Sequence, residues 1–374
     1  MGHLETFLKN ADSGIYHEAR KQGVTPAGLI ARQVQPEWPE VKVVYDRYLA
    51  KYLQEDDGSN RSRQIMEFAT EQAAFGKVLA ARGVRTTDTA EKAFFSSNND
   101  SALFPVFLAQ SIIAGQLAGS LVPFFVAMTE RVNSGVVEKI TMSETEANRQ
   151  LSRTGEGADL PKTTLSRSDT SVALVKYGRQ FEATYEVYRR QTLDMIGLFL
   201  QRMGIQFGID QSDDLIQTLI AGDGTASSAV TDTDAEVSGT LDYDELIRLS
   251  QAFGIGYGMN RAVINDTNMR TILNMSEFKD PMIQVRFQER GLNDQVPILG
   301  ATFHRWTSTG SSAFSTDRIL AVDSRFAIKQ VQEGDFLEEA DQIIGRQTRV
   351  VTMSIWTAFV KLQTGATQCL DITT

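Results

Sequence analysis

Between Arg179 and Thr225 the chain changes its hydrophobic period once, and its other segments read most simply around that change. Phe181, Ala183, Tyr185 and Val187 alternate with polar residues, the period of a half-buried strand. Leu193, Ile196, Leu200, Met203 and Phe207 then step by three and four, the stripe of an amphipathic helix. Leu215 and Leu219 carry the apolar character to Ala221-Gly222-Asp223-Gly224-Thr225, a stop and turn. An unbroken helix from about Arg190 to Ala221 would span roughly 45–50 Å at 1.5 Å per residue, a strut by globular standards. Gly204 and Gly208 inside it each cost about 1 kcal/mol relative to Ala, which leaves room for a bend there.

Upstream, the pattern predicts helices joined by turns. Thr25-Pro26 and Pro36 to Pro39 punctuate the start. Val41, Val44, Tyr45, Tyr48, Leu49 and Tyr52 form one stripe, ending near Asp56-Asp57-Gly58. Ile65, Phe68, Gln72, Phe75 and Leu79 form a second, up to Gly83. The tyrosines fit packing against a neighbouring helix or subunit better than a ligand-stacking surface. Ser96 to Ser101 reads as a linker. From Ala102 to Thr129 no residue is charged, and length alone would allow a bilayer span. Pro105, Pro123, Gln110, Gln116 and the absence of a flanking basic cluster argue against one.

Val136 to Ile140 alternates as a strand. Ser143 to Ser171 has no apolar periodicity and is followed by Val172 to Val175, so it reads as the tip of a long two-stranded loop. After Thr225 comes a small polar stretch, then a helix capped by Thr240 or Asp242 and carrying Leu246, Ile247, Leu249 and Phe253. Ala262 to Asp266 is a short strand leading into a helix with Met269, Ile272 and Leu273. Arg318 to Asp323 reads as a further strand.

Composition narrows the function. A length of 374 residues allows more than one core, and 42% hydrophobic with 22% charged residues is ordinary for a folded protein. A net charge of −10 excludes a basic phosphate-gripping surface as the main task. The single cysteine, Cys369, excludes an intrachain disulfide or a multi-Cys metal site and reads as a small hydrophobe. His3, His17 and His304 have no metal-ligand spacing and no nucleophile motif beside them. Asp232, Asp234 and Glu236 lack EF-hand spacing. Gly254-Ile255-Gly256-Tyr257-Gly258 follows a helix and lacks the third spaced glycine of a dinucleotide loop. No catalytic, cofactor-binding or metal-binding residue is assigned, no cofactor is expected, and an enzyme using the Asp223-Gly224-Thr225 turn or the acidic loop lacks a base–nucleophile pair. Met1 to Glu5 lacks the basic and apolar regions of a signal peptide, so synthesis and use in cytoplasm are expected.

The order of these segments resembles the Hong Kong 97-like major capsid proteins of tailed phages. The resemblance covers about Leu103 to Leu362. It is carried by the strand and long helix closed by Leu219-Ile220-Ala221-Gly222-Asp223-Gly224-Thr225, and by Leu103-Phe104-Pro105 with its apolar run. Gly155-Glu156-Gly157-Ala158-Asp159-Leu160-Pro161, Val296-Pro297-Ile298-Leu299-Gly300-Ala301, Arg318 to Asp323 and Arg349 to Leu362 extend it. Trp356 departs from the pattern, standing near where many relatives have Pro.

The resemblance implies an α+β fold in six parts. These are a helical N-terminal region (1–101), an N-terminal arm (102–137) lying along neighbouring subunits, and an extended β-hairpin loop with its base strands (138–187). A peripheral-domain spine helix (188–224), an axial domain (225–344) and a return to the peripheral-domain sheet (345–374) complete it. The implied function is structural: a self-assembling shell of hexamers and pentamers around packaged double-stranded DNA, which is touched non-specifically from the inside. Portal, scaffold or protease, and decoration proteins are further implied partners; no membrane is. The implied location is the virion capsid, assembled in host cytoplasm. An encapsulin-like compartment of the same fold is the alternative. Some relatives cross-link a loop lysine to an asparagine of another subunit; Lys162 lies near the loop tip, but no partner or catalytic Glu can be placed, so that chemistry is not assigned. Residues 1 to about 100 are open between a scaffold cleaved away and an arm that stays, with retention expected. A charge at Leu200, on the helix stripe, is expected to prevent folding as well as assembly; a soluble, folded monomer of Leu200→Asp would contradict the strut reading.

Overall fold

The computed structural model describes residues 26–34, 60–95 (save 82 and 86), 103–142 (save 134), 165–224, 229–278 (save 255), 295–306 and 317–373, with positions 18–19, 21–22, 153–154 and 156 besides. The expected tyrosine stripe, the hairpin tip with Lys162, His3 and His17 lie outside the described residues.

Helices α1 (Pro26–Val34), α2 (Asn60–Ala81) and α3 (Ala90–Phe94) open the chain. Helix α4 (Phe104–Gly119) starts with Pro105 in its first turn, where a missing N–H costs nothing. The short α5 (Val122–Phe125) leads into β1 (Val126–Val132). Strands β2 (Val136–Met142) and β3 (Leu165–Ala173) pair antiparallel, from Val136 opposite Ala173 to Met142 opposite Leu165, as a two-stranded sheet of their own. Strand β4 (Val175–Thr184) follows after Leu174.

The alternating run therefore ends at Thr184 instead of reaching Val187, because Tyr185–Arg190 turn into a short helix, α6. The spine, α7 (Leu193–Ala221), is separated from it by Gln191 and Thr192. Its 29 residues span about 43 Å. Gly222, at φ +91°, ends it in a conformation that glycine adopts without a Cβ penalty.

Beyond the spine lie β5 (Thr231–Asp234), α8 (Tyr243–Gln251), β6 (Arg261–Ile264), α9 (Asp266–Leu273), β7 (Gln295–Ile298) and β8 (Ala301–Arg305). Asp242 caps α8 by accepting from the Glu245 N–H, and Asn265 caps α9 by accepting from the Asn268 N–H. The chain ends with β9 (Arg318–Val322), β10 (Ile328–Ile343), β11 (Thr348–Lys361) and β12 (Thr367–Asp371).

Among the described residues the strands form a four-stranded sheet, β1-β10-β11-β4, a six-stranded sheet, β5-β12-β9-β6-β8-β7, and the hairpin. This shifts two expected boundaries. Strand β10, expected in the axial domain, pairs with β1 and β11 in the sheet beside the spine. Strand β12, expected to return to that sheet, pairs instead with β9 and β5. Trp356 stands within β11 opposite Lys176, with the ammonium 4.7 Å from its ring, so no turn occurs there.

The six-stranded sheet is buried on both faces, and period-2 alternation sorts its side chains. Val263, Leu320 and Val322 face the core with the spine's Leu215 and Leu219. Ala262, Ile264, Ile319 and Ala321 face α8 and α9. The first half of the spine packs into a different core, with α2, α3, α4 and Val351 of β11. One helix thus joins two cores.

The helix α4 and the spine cross in direct backbone contact. A Cβ on Gly204 would lie 2.0 Å from the Ile112 carbonyl oxygen, and one on Gly115 would lie 1.9 Å from that of Gln201. Gly119 and Gly208 face the other helix at 2.7 and 2.6 Å in the same sense. These glycines let two backbones approach closely, and the spine's helix runs unbroken through both Gly204 and Gly208. Hydrogen bonds fix the register: Gln116 Nε2 donates to Gln211 Oε1 at 2.7 Å, and the Leu121 N–H donates to Ser212 Oγ at 2.8 Å. The uncharged run, expected to lie along neighbouring subunits, is largely covered by its own chain: Leu103, Phe104, Val106, Leu108 and Phe125 are buried.

Gly197 provides the control for this crossing, because a Cβ there meets only Phe107 and Ser111 at 3.7 Å. Gly197→Ala is expected to stabilise the protein by up to about 1 kcal/mol through helix propensity. Gly204→Ala is expected to destabilise it by about 2 kcal/mol or more through overpacking. Urea unfolding of both variants reads the opposite signs.

Candidate assembly surfaces and the pins that hold them

Two surface features of the fold call for a partner. The first is the hairpin, whose strands hydrogen-bond to no other described strand. Its base is anchored, with Val172 and Leu174 packing on Val331 and Val360. An isolated two-stranded ribbon is marginal in water, so its length needs a further surface to lie on. The second is a set of exposed apolar side chains. Leu198 and Phe199 are each 62% exposed on the outer face of the spine, beside Met195 and Ile205. Ile344, at the turn between β10 and β11, is 78% exposed. Clusters of this kind mark contact sites in soluble proteins.

Charged and polar pins fix the frame that presents these surfaces. The Gly222-Asp223-Gly224 turn is one. Asp223 Oδ2 accepts from the Lys361 N–H at 3.1 Å, and buried Lys361 Nζ donates to the Leu219 carbonyl at 3.1 Å. The ammonium thus satisfies a carbonyl in the spine's last turn, where the helix dipole also favours a cation. That ties the spine's end to the last residue of β11.

Asp323 is a second pin. Its carboxylate is fully covered and accepts from Arg325 Nη2 at 2.7 Å and Nε at 2.9 Å, and from the Gly258 N–H at 3.0 Å. Burial alone would raise its pKa; the Arg325 and Gly258 hydrogen bonds outweigh that and hold it below the ordinary value. The glycine run 254–258 thus serves as a loop clamped to β9. Arg318 is a third pin, reaching Asp371 at 3.1 Å and Asp232 at 3.4 Å and so joining β9, β12 and β5.

The remaining chemically suggestive residues are built into the same frame. His304 is buried in β8 with its ring 4.6 Å from Phe124 and 5.2 Å from Phe125. Cys369 is buried in β12; burial, and next Asp232, push its thiol well above the ordinary range, so it stays protonated at neutral pH. Asp232 and Asp234 sit in β5, not in a loop. Glu236 gives its N–H to the carboxylate of buried Glu245 at 2.7 Å. Among the described residues no group of three or more His, Cys, Asp or Glu gathers as metal ligands would. Among them, too, no helix is long and apolar enough to cross a membrane.

Sequence reasoning did not single out Lys361, Asp323 or Arg349. Lys361 and Asp323 closed apolar strand runs and gave no signal beyond being charges at the ends of buried segments.

The lowered pKa of Asp323 has a sign. Its stabilising contribution is complete at neutral pH and is lost as the pH falls through the lowered folded value, below the ordinary 3.8. Asp323→Asn is therefore expected to unfold at a lower temperature than the wild type at pH 7, with the gap closing in acid. Thermal scans across pH check this, and a gap that stays constant into acid would contradict it.

Comparison with known proteins fits this frame. The family model described as phage capsid protein matches residues 167–361, just over half of the chain. Among solved structures, the chain is similar to the capsid of an empty GTA particle, at 14% identity over 68% of this chain and 90% of that one, with a TM-score of 0.48. It is also similar to a chain of the Microbacterium phage Oxtober96 (12% identity, 68% and 91% covered, TM-score 0.47). A virus-like particle from Pyrococcus furiosus is a third (9% identity, 71% and 97% covered, TM-score 0.47). A comparison with curated proteins gives no match. The matched span runs from the hairpin's second strand through the spine, five of the six strands of the six-stranded sheet (all but β12) and β11, and on that ground the chain belongs to the phage capsid protein family.

Proposed function

We propose that this phage capsid protein builds an icosahedral head shell from hexamers and pentamers of itself, and that the hairpin is the element that ties one subunit to the next. The observation that carries the reading is the hairpin's construction: a two-stranded ribbon that, among the described residues, pairs with no further strand and is anchored at its base by Val172 and Leu174. A ribbon of this kind is stabilised by lying on a second copy. Heterologous contacts between copies close into rings, which the flat faces of a shell require. Permanent contacts of that type bury about 2,000 Å² or more.

The same reading gives the chain the virion as its location and host cytoplasm as its place of assembly. Packaged double-stranded DNA is then met through non-specific contacts on the inner face. The net charge of −10 suits a wall that encloses DNA without gripping it. Portal, scaffold or protease, and decoration proteins are the further partners that such a shell uses. The reading is structural, with no reaction assigned to the chain. An encapsulin-like compartment shares the fold, but the family match is to phage capsids.

Replacing residues 143–164 by a short turn tests the role of the hairpin. The shortened chain is expected to keep its thermal unfolding transition and to form no closed particles by electron microscopy, whereas the full chain forms them. Shells from the shortened chain would refute the assignment.

A further inference from the structure

Residues 60–95 were open between a segment shed from the finished shell and one that stays, and their contacts in the folded subunit separate the two. Helix α3 places Phe94 and Phe95 against Phe104, at ring-centroid distances of 5.5 and 5.1 Å. Phe95 and Phe104 both pack edge-on against Tyr188, at 5.9 and 5.3 Å. On its other side Phe95 takes the Arg349 guanidinium of β11 at 3.5 Å. Ala74, Phe75 and Val78 of α2 are buried in the same core as Leu193, Ile196 and Leu200 of the spine.

The backbone joins in. Thr192 caps the spine without a side-chain hydrogen bond, and the first spine N–H, that of Leu193, donates to the Asp88 carbonyl at 3.0 Å. Thr89 and Thr192 form a β-bridge beside it. One of the orphan donors of the spine's first turn is therefore satisfied by the N-terminal region. Arg189 reaches Glu91 at 3.1 Å, and Gln110 reaches Glu71 at 3.3 Å.

A segment built to depart leaves behind a surface that water can cover. Departure here would bare Phe104, Tyr188, Leu193 and Ile196 together and would uncap the helix that joins both cores. From these contacts we infer that residues 60–95 are a permanent clamp on the spine of their own subunit, and that a chain cut between α3 and α4 keeps both pieces. The significance of the clamp for a shell rests on the capsid reading above; its existence does not.

The test is a full-length chain carrying a site-specific protease sequence within residues 96–101, folded first and cut afterwards, with the cut read on a denaturing gel. Under native conditions the N-terminal fragment is expected to co-elute with the remainder in size exclusion. Phe94→Ala with Phe95→Ala in the same chain is expected to weaken its retention roughly a hundredfold. Release of the fragment from the otherwise unchanged chain overturns the inference, whether the remainder then stays folded or precipitates. Should the double variant fail to fold, the cut of the unchanged chain decides alone. Particle formation by the uncut chain is scored separately by microscopy. A chain that holds its fragment but forms no shell counts against the assembly reading only.

Discussion

Close approach of two helices is the constraint on which the subunit depends. The glycines at 115 and 119 on one helix and at 204 and 208 on the other remove the Cβ atoms that would hold the backbones apart. Dispersion forces fall off steeply with separation, so a gap opened by even one methyl group would forfeit contacts along the whole crossing. With the crossing closed, one face of α4 covers the spine while Leu103, Phe104 and Leu108 fill the core at the spine's beginning. Val122 and Phe125, immediately after α4, fill the core at its end. The position of both cores relative to each other therefore follows from one helix pair and from the rigidity of the spine.

The pins secure what the crossing sets. Lys361 and Asp223 fasten the far end of the spine to β11, and β11 runs back antiparallel between β10 and β4 to Arg349, which is stacked over Phe95. A single strand thus touches the spine's end and the N-terminal region that caps its start. Burial draws the Arg349 pKa down, and the neighbouring Tyr185, Tyr188 and Glu91 oppose it. Tyr188 itself is raised to about 12 by burial. Among the described residues, the hairpin, the outer face of the spine and the Ile344 turn are surfaces that these pins leave exposed.

Much of this was legible in the sequence, because period and punctuation are local properties. The spine stripe, the hairpin strand at Val136–Ile140, a helix cap at Thr240 or Asp242, and the strand at Arg318 could be read from spacing alone, whereas the Asn265 cap could not. The segment order was specific enough to suggest the capsid family, which the family match bears out. Features that depend on what a residue faces were not legible. Gly204 and Gly208 look identical in sequence whether they permit a bend or a contact, and only the partner at Ile112 and Gln116 decides. An apolar run such as Ala102–Thr129 does not say whether its own chain or another will cover it. Strands β10 and β12 carry ordinary apolar patterns, and their sheet membership is set by long-range pairing that periodicity does not encode. Lys361 reads as the end of a strand until Leu219 is placed beside it.

The most direct measurement is a cryo-electron microscopy map of particles formed by this chain, resolved well enough to trace helices. The account predicts a closed shell in which each copy carries its own α4 crossed in backbone contact over its own spine, with the hairpin reaching a neighbouring copy. A chain that stays monomeric, or a shell in which residues 104–119 leave their own spine to run along a neighbour, would contradict it.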